Sequence, residues 1–332
     1  MTDRLPRDEI AEFEARIDPE LLDAVRRKIG VDLTDIARAR EFFRAARVAA
    51  NQVKPLDPHV QVEERVIPAL SDRAQVTVRL LYPTGRPEGA PGLIWVHGGG
   101  HVVGDAESDD PLVAEFVKSL GCVVVSVEWR RSPEHPFPAA INDCYAALHW
   151  AYIQNASLGI DPARIAVGGA SSGGGSAAGL ALLARDRGEI PICYQLLTYP
   201  MLDDRDVTHS AHAVTHPRLW NRATNRLAWQ AYLGVAASGE PVSPYAAPTR
   251  ATNLTGLPPA FIGVGELDLF LDEDIEYAQR LLGAGVPTEL HVYPGAVHGF
   301  EGLAPGSDVA QRFARDRMDA LRRAFDAGHA TS

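Results

Sequence analysis

Cysteine is scarce in this chain, and no long apolar run occurs. Cys122, Cys144 and Cys193 are far apart and form no C-x-x-C pair, which argues against a disulfide framework and a four-cysteine zinc site. Cys122 borders Val123-Val124-Val125, so its thiol is expected to be buried and inert. Positive charge is also short: 32 Lys and Arg stand against 43 Asp and Glu, a net charge of −11. Such a balance speaks against nucleic acid or an anionic membrane as the main partner. Nothing approaches the ~20 apolar residues of a membrane span, and Met1–Glu9 lacks the apolar core of a signal peptide. A soluble, cytoplasmic protein is expected. Apolar residues at 46% and charged residues at 23% suit a folded chain with a sizeable core and exclude disorder as the main state. The 332 residues fit one large α/β domain with insertions as well as two domains.

The first fifty residues read as helix. Asp18-Pro19 is a cap with proline at the first helical position, Leu21, Leu22, Val25 and Ile29 form a stripe, and Gly30 reads as the stop. A second helical stretch carries Ile36, Phe42 and Phe43 and ends at Lys54-Pro55. The period then changes. Val76–Leu80 alternates as a half-exposed strand should, while Leu93–Val96, Cys122–Val127, Ile165–Val167 and Ala260–Val264 are the continuous apolar runs of parallel strands covered on both faces. Helical patterns fall between them at about Pro111–Leu120, Ala139–Gln154, Gly174–Ala184 and Asp272–Leu282. A last helix is expected to turn Ala314, Met318, Leu321 and Phe325 inward. Alternation of this kind predicts a parallel α/β sheet, interrupted by an insertion at about residues 203–243.

Four local patterns carry chemistry. Gly169-Ala170-Ser171-Ser172-Gly173 is a G-x-S-x-G nucleophile elbow between a strand and a helix, with Ser171 as the nucleophile. His97-Gly98-Gly99-Gly100 follows another strand, and glycines leave amides open to a developing oxyanion. The second donor in such a pairing is the amide after the nucleophile, here that of Ser172. Without a Lys-Ser/Thr ending, the glycine run is not a phosphate loop. Asp268 and His298 each lie just past a predicted strand, at the edge where open α/β sheets place their sites. Taken singly, Asp268 reads as a helix cap and His298 as a loop histidine. In the order Ser171, Asp268, His298, and beside both glycine motifs, they match the hydrolase arrangement.

With these stretches the chain resembles the hormone-sensitive-lipase-like family of α/β-hydrolases, in its bacterial carboxylesterase branch. Val125–Arg130, Pro133–Ala140, Asp272-Glu273 and His298-Gly299-Phe300 add to the likeness, which covers nearly the whole chain. The resemblance implies an α/β-hydrolase fold: a mostly parallel eight-stranded sheet flanked by helices. Over it would lie a helical cap, built from residues 1–50 and the 203–243 insertion of a catalytic domain spanning 51–332. It also implies hydrolysis of small carboxylic esters without a cofactor. Ser171, Asp268 and His298 would be the triad, Gly99, Gly100 and Ser172 the oxyanion donors, and His97 and Gly98 the residues that shape the turn. Many members are homodimers, and the same is plausible here. The chain departs from the pattern in having Ala170 for a usual Asp and Ser172 for a usual Ala. His101 replaces an aromatic residue after the glycines and reads as a hydrogen-bonding substitute.

Other groups take plainer readings. His209, His212 and His216 have spacings a metal could use but no carboxylate in the same stretch, so they read as insertion residues that could line the substrate pocket. Glu128 with Arg130 or Arg131 reads as a structural ion pair, and Asp272, Glu273 and Asp274 as the acidic first turn of a helix. Amide, carbamate or lactone hydrolysis by the same triad is the nearest alternative activity. A non-catalytic receptor on this scaffold is disfavoured because such proteins typically lose a triad residue.

Overall fold

In the computed structural model, residues 7–53, 56–85, 88–234 and 241–327 are described. Met1–Pro6, the break at Lys54-Pro55 and residues 235–240 of the expected insertion lie outside them. The eight strands are β1 (Val60–Pro68), β2 (Gln75–Pro83), β3 (Ala90–Val96), β4 (Val123–Glu128), β5 (Ile160–Ala170), β6 (Tyr194–Thr198), β7 (Ala260–Leu267) and β8 (Thr288–Val297). They form one sheet in the order β1-β2-β4-β3-β5-β6-β7-β8. Pairing is antiparallel for β1 with β2 and β2 with β4, and parallel elsewhere. Three helices precede it: α1 (Arg7–Glu14), α2 (Pro19–Arg27) and α3 (Ile36–Val53). Between strands run α4 (Asp110–Leu120), α5 (Ala139–Ile153), the single turn α6 (Asn155–Leu158), α7 (Ser172–Arg187), α8 (His209–Ala213), α9 (Arg222–Leu233) and α10 (Leu271–Gly283). The turn α11 (Phe300–Leu303) and the long α12 (Asp308–Ala327) follow β8.

The core divides by strand alternation. All of β3 is buried. Leu93 and Trp95 face α4 and α12 through Phe116, Val117, Phe313 and Leu321, while Ile94 and Val96 join α5, α7 and α10 through Ala147, Leu148, Ala177, Ala181 and Tyr277. Successive strand residues point to opposite faces, so a strand covered twice must be apolar throughout. That is why the central strands read as uninterrupted runs.

Several sequence expectations shift in register. Asp18 caps α2 as expected, accepting the Glu20 N–H at 2.9 Å, and Leu21 and Val25 are buried. The helix ends at Arg27, however, and Ile29 is 62% exposed. Gly30 is therefore not a stop; a Cβ there would lie 2.1 Å from the Pro217 carbonyl oxygen, so the close passage of the 203–243 segment requires glycine. The same two segments are tied by Arg218 Nη1 donating to Lys28 O at 2.8 Å and by Thr224 Oγ1 donating to Val31 O at 3.2 Å. In α12 the buried face is Phe313, Arg317, Leu321 and Phe325, and Ala314 is exposed. Leu321 and Phe325 face inward as expected, while Phe313 and Arg317 take the places expected of Ala314 and Met318, the buried Arg317 guanidinium lying 3.3 Å from Glu301.

Of the two partners expected for Glu128, the structure selects Arg131. Glu128 pairs with Arg131 at 3.1 Å and accepts the Ala106 N–H at 2.7 Å. Arg130 instead grips the fully buried Asp143, and also reaches Asp72 at 2.9 Å. Asp272, Glu273 and Asp274 open α10 as expected, and Glu273 and Asp274 are buried there. Glu273 Oε1 accepts the Leu202 and Asp203 N–H groups at 2.7 and 3.2 Å. Cys122 is buried, and burial pushes its thiol up to about 12.

Candidate active site

Strand register delivers the three candidate triad residues to one edge. In β5 and β6, Ala170 pairs with Thr198, and the Ser171 N–H then donates to Thr198 O at 2.9 Å. In β7 and β8, a shift after Gly265 brings Leu267 opposite Val297, so the residues that follow, Asp268 and His298, emerge side by side. His298 Nδ1 lies 2.7 Å from Asp268 Oδ2, and Nε2 lies 3.0 Å from Ser171 Oγ. Asp268 Oδ1 also accepts the Phe270 N–H at 3.1 Å, which fixes the carboxylate's rotation.

Ser171 sits at φ 58°, ψ −122° before the first turn of α7. A non-glycine residue at positive φ is strained, and such strain persists only where the surroundings enforce it. Here the enforcement is close packing of strand, loop and helix: a Cβ on Gly173 would fall 2.0 Å from Val96 O. The turn therefore tolerates only hydrogen at that position, and the serine hydroxyl is held clear of the helix.

The glycine loop faces this elbow. Among the described residues, no backbone acceptor takes the Gly99 or Gly100 N–H, leaving both amides available. The Ser172 amide opens α7, where a helix has no internal acceptor to offer. The Ser172 hydroxyl adds a tie, since its Oγ accepts the His101 N–H at 3.2 Å and links the two loops. His97 Nδ1 is 2.8 Å from Gly98 O, and its ring stacks on Trp129 at 4.5 Å.

His101 does not act as a hydrogen-bonding substitute through its ring. The imidazole stacks face to face on Tyr232, 3.6 Å between centroids, and Nδ1 has no partner. Burial, with His97 adding to it, lowers its pKa to about 3. It is a neutral aromatic plate. The histidines of the insertion do not converge either: His212 Nε2 lies 2.8 Å from Asp206 O, whereas His216 is buried 3.5 Å from Glu14. None of the three lines the cavity at Ser171.

That cavity, about 330 Å³, is lined by Ser171, His298, the glycine loop, and Ile29, Val31, Phe42, Phe43, Tyr199 and Trp220. Aromatic rings also hold His298: Tyr199 of the cavity wall and the buried Phe270 meet the imidazole edge-on at 4.7 and 5.1 Å. The Tyr199 hydroxyl donates to Glu301 at 2.7 Å, and burial keeps this phenol well above its ordinary pKa. Sequence reasoning missed Tyr199, Trp220 and Lys28. Tyr199 follows β6, a strand of five residues containing Gln195, too short to stand out; Trp220 and Lys28 reach the cavity only through contact between distant segments.

The profile of a family described as alpha/beta hydrolase fold matches residues 93–302. The chain belongs to the α/β-hydrolases, in the hormone-sensitive-lipase-like family. It is 35% identical over 322 residues to the esterase LipI of Mycobacterium tuberculosis, covering 95% of this chain and 97% of that one. The carboxylesterase NlhH of the same species is 35% identical over 294 residues, covering 87% and 92%. Among solved structures, a bacterial heroin esterase superposes with a TM-score of 0.90 at 43% identity, over 94% of this chain and 98% of that one. The esterase LipW of Mycobacterium marinum gives 0.86 at 37% identity, over 94% and 97%.

Proposed function

We propose that the chain is a serine carboxylesterase that hydrolyses short-chain carboxylic esters through an acyl-enzyme on Ser171. The observation that carries this reading is the continuous hydrogen-bond run from Asp268 through His298 to the strained Ser171, opening into a cavity flanked by free amides. Relatives named as esterases and carboxylesterase over most of their lengths support it. His298 Nε2 takes the proton from Ser171 Oγ as the oxygen attacks the ester carbonyl. Asp268 holds the other imidazole nitrogen protonated and stabilises the imidazolium. The Gly99, Gly100 and Ser172 amides receive the oxyanion; losing one such donor typically costs about 10²–10³ in turnover. The imidazolium then gives its proton to the leaving alcohol. Water repeats the sequence at the acyl-enzyme, releasing the acid and restoring Ser171.

In this reading α1–α3 and the 203–243 segment form the cap, closing one wall of the cavity with Ile29, Val31, Phe42, Phe43 and Trp220. A volume of about 330 Å³ lies at the small end of ligand pockets and suits short acyl chains. Hydrolysis of p-nitrophenyl esters from acetate to dodecanoate tests this directly. Activity is expected to peak at short chains and to fall by on the order of 10⁴ or more in Ser171→Ala. Undiminished hydrolysis in that variant, which keeps the fold, would overturn the assignment.

A further inference from the structure

One ionisable group on the cavity wall is left over by the mechanism. Lys28 follows the last turn of α2, its carbonyl held by Arg218 at 2.8 Å, and it lines the same cavity as Ser171 and His298. The other titrating groups there are engaged. Asp105 pairs with Arg47 at 3.3 Å and accepts the Ser108 hydroxyl at 2.7 Å. Asp109 accepts the Trp95 indole N–H at 2.7 Å, and burial pushes its carboxyl up toward the neutral form. His97, Tyr199 and His298 are bonded as described. The Lys28 ammonium has no acid partner and no hydrogen bond among the described residues, and the same cavity wall carries the apolar side chains of Ile29, Val31, Phe42, Phe43 and Trp220.

An ammonium in such a wall is poorly hydrated. Burial lowers its pKa, opposed by the field of the Asp268 carboxylate, which places the charge within electrostatic reach of the triad. A neutral ester filling the cavity removes more water and returns nothing to the charge. A ligand oxyanion returns a charge-assisted hydrogen bond, among the stronger polar contacts a site can make. We propose that Lys28 is a specificity-determining residue, and that the cavity takes esters bearing a second, free carboxylate, which the Lys28 ammonium receives. The proposal rests on the ester-hydrolase reading and names the substrate class for it.

The test compares each anionic ester with a neutral one of like size by pH-stat titration at pH 7. Monomethyl adipate against methyl hexanoate places the carboxylate on the acyl side, and 4-acetoxybutanoate against butyl acetate places it on the alcohol side. In the wild type, kcat/KM for the anionic member of at least one pair should exceed that of its neutral partner by about tenfold, mostly in KM, the size of one charge-assisted hydrogen bond. Lys28→Met should bring that ratio to one or below, and Lys28→Arg should keep most of it. A ratio taken on one preparation cancels any loss of folded enzyme. Added salt should shrink the wild-type ratio. Neutral esters turned over, with a ratio at or below one in both pairs, would overturn the proposal and leave the esterase reading standing; so would an unchanged ratio in Lys28→Met. No turnover of these four esters or of p-nitrophenyl acetate would overturn both.

Discussion

Asp274 is the residue whose removal should strengthen the fold. It lies in the first turn of α10 with no exposed surface, and neither carboxyl oxygen has a hydrogen-bond partner among the described residues. Burial first, then the charges of Glu273 and Asp268, hold its pKa well above the ordinary carboxylate value. A buried group without partners costs roughly 1–3 kcal/mol. Asp274→Ala removes that cost and leaves a void of about 25 Å³, worth roughly 0.6 kcal/mol against the variant. Helix propensity favours alanine by a few tenths, and a protonated carboxyl carries no charge for the helix N-terminus to stabilise. The net gain is about 1–2 kcal/mol at mildly acidic pH, or roughly 1.5–3 °C in Tm for a chain of this size.

The pH dependence has a definite sign. Folded Asp274 stays protonated where the unfolded side chain, with a pKa of about 3.9, has already ionised. The native state therefore binds more protons, and wild-type stability falls as pH rises from the unfolded value toward the folded one. The variant lacks this loss, so its advantage should widen by up to about 1.4 kcal/mol per pH unit across that window. Thermal and urea unfolding of both proteins at pH 5, 6, 7 and 8 measures it. A variant less stable than wild type by more than about 1 kcal/mol, or a gap that stays flat with pH, would refute the reasoning.

Three further substitutions follow from contacts already described. Ser172→Ala keeps the backbone amide but orphans the buried His101 N–H; stability should fall by about 1–3 kcal/mol and turnover by less than the 10²–10³ of a lost oxyanion donor, read by unfolding and steady-state kinetics. Arg130→Met strips the fully buried Asp143 of its guanidinium and should destabilise by roughly 3–5 kcal/mol, measurable as a urea midpoint shift. Gly30→Ala drives a Cβ to 2.1 Å from Pro217 O; moving the 203–243 segment and Trp220 with it, the change should raise KM for p-nitrophenyl butyrate several-fold more than it lowers kcat.

How much of this molecule can be read in its residues depends on how far each constraint reaches along the chain. The G-x-S-x-G turn and the glycine loop are local devices, dictated by van der Waals limits between neighbouring atoms, and such limits leave a fixed spelling. Asp268 and His298 are legible because each stands one residue past a strand, and parallel pairing aligns strand ends; the shift after Gly265 completes the alignment without altering the spelling. The two strands without a clear signal fail for opposite reasons. β1 carries Glu63, Glu64 and Arg65 on an edge with one partner, so charge obscures its alternation. β6 is five buried residues with polar Gln195 among them, its amide nitrogen donating to Pro258 O at 2.8 Å. Asp274 misleads because an acid in a helix's first turn is ordinarily solvated, and only tertiary burial makes it a liability. Lys28 is the strongest case of the same kind. Nothing near it in sequence separates it from Arg26 and Arg27; Arg26 finds Glu14 at 2.7 Å, whereas Lys28, two residues later, lines the cavity. Local spelling thus marks the candidate triad, while the walls of the cavity are assembled by contacts between segments nearly two hundred residues apart, which no local pattern records.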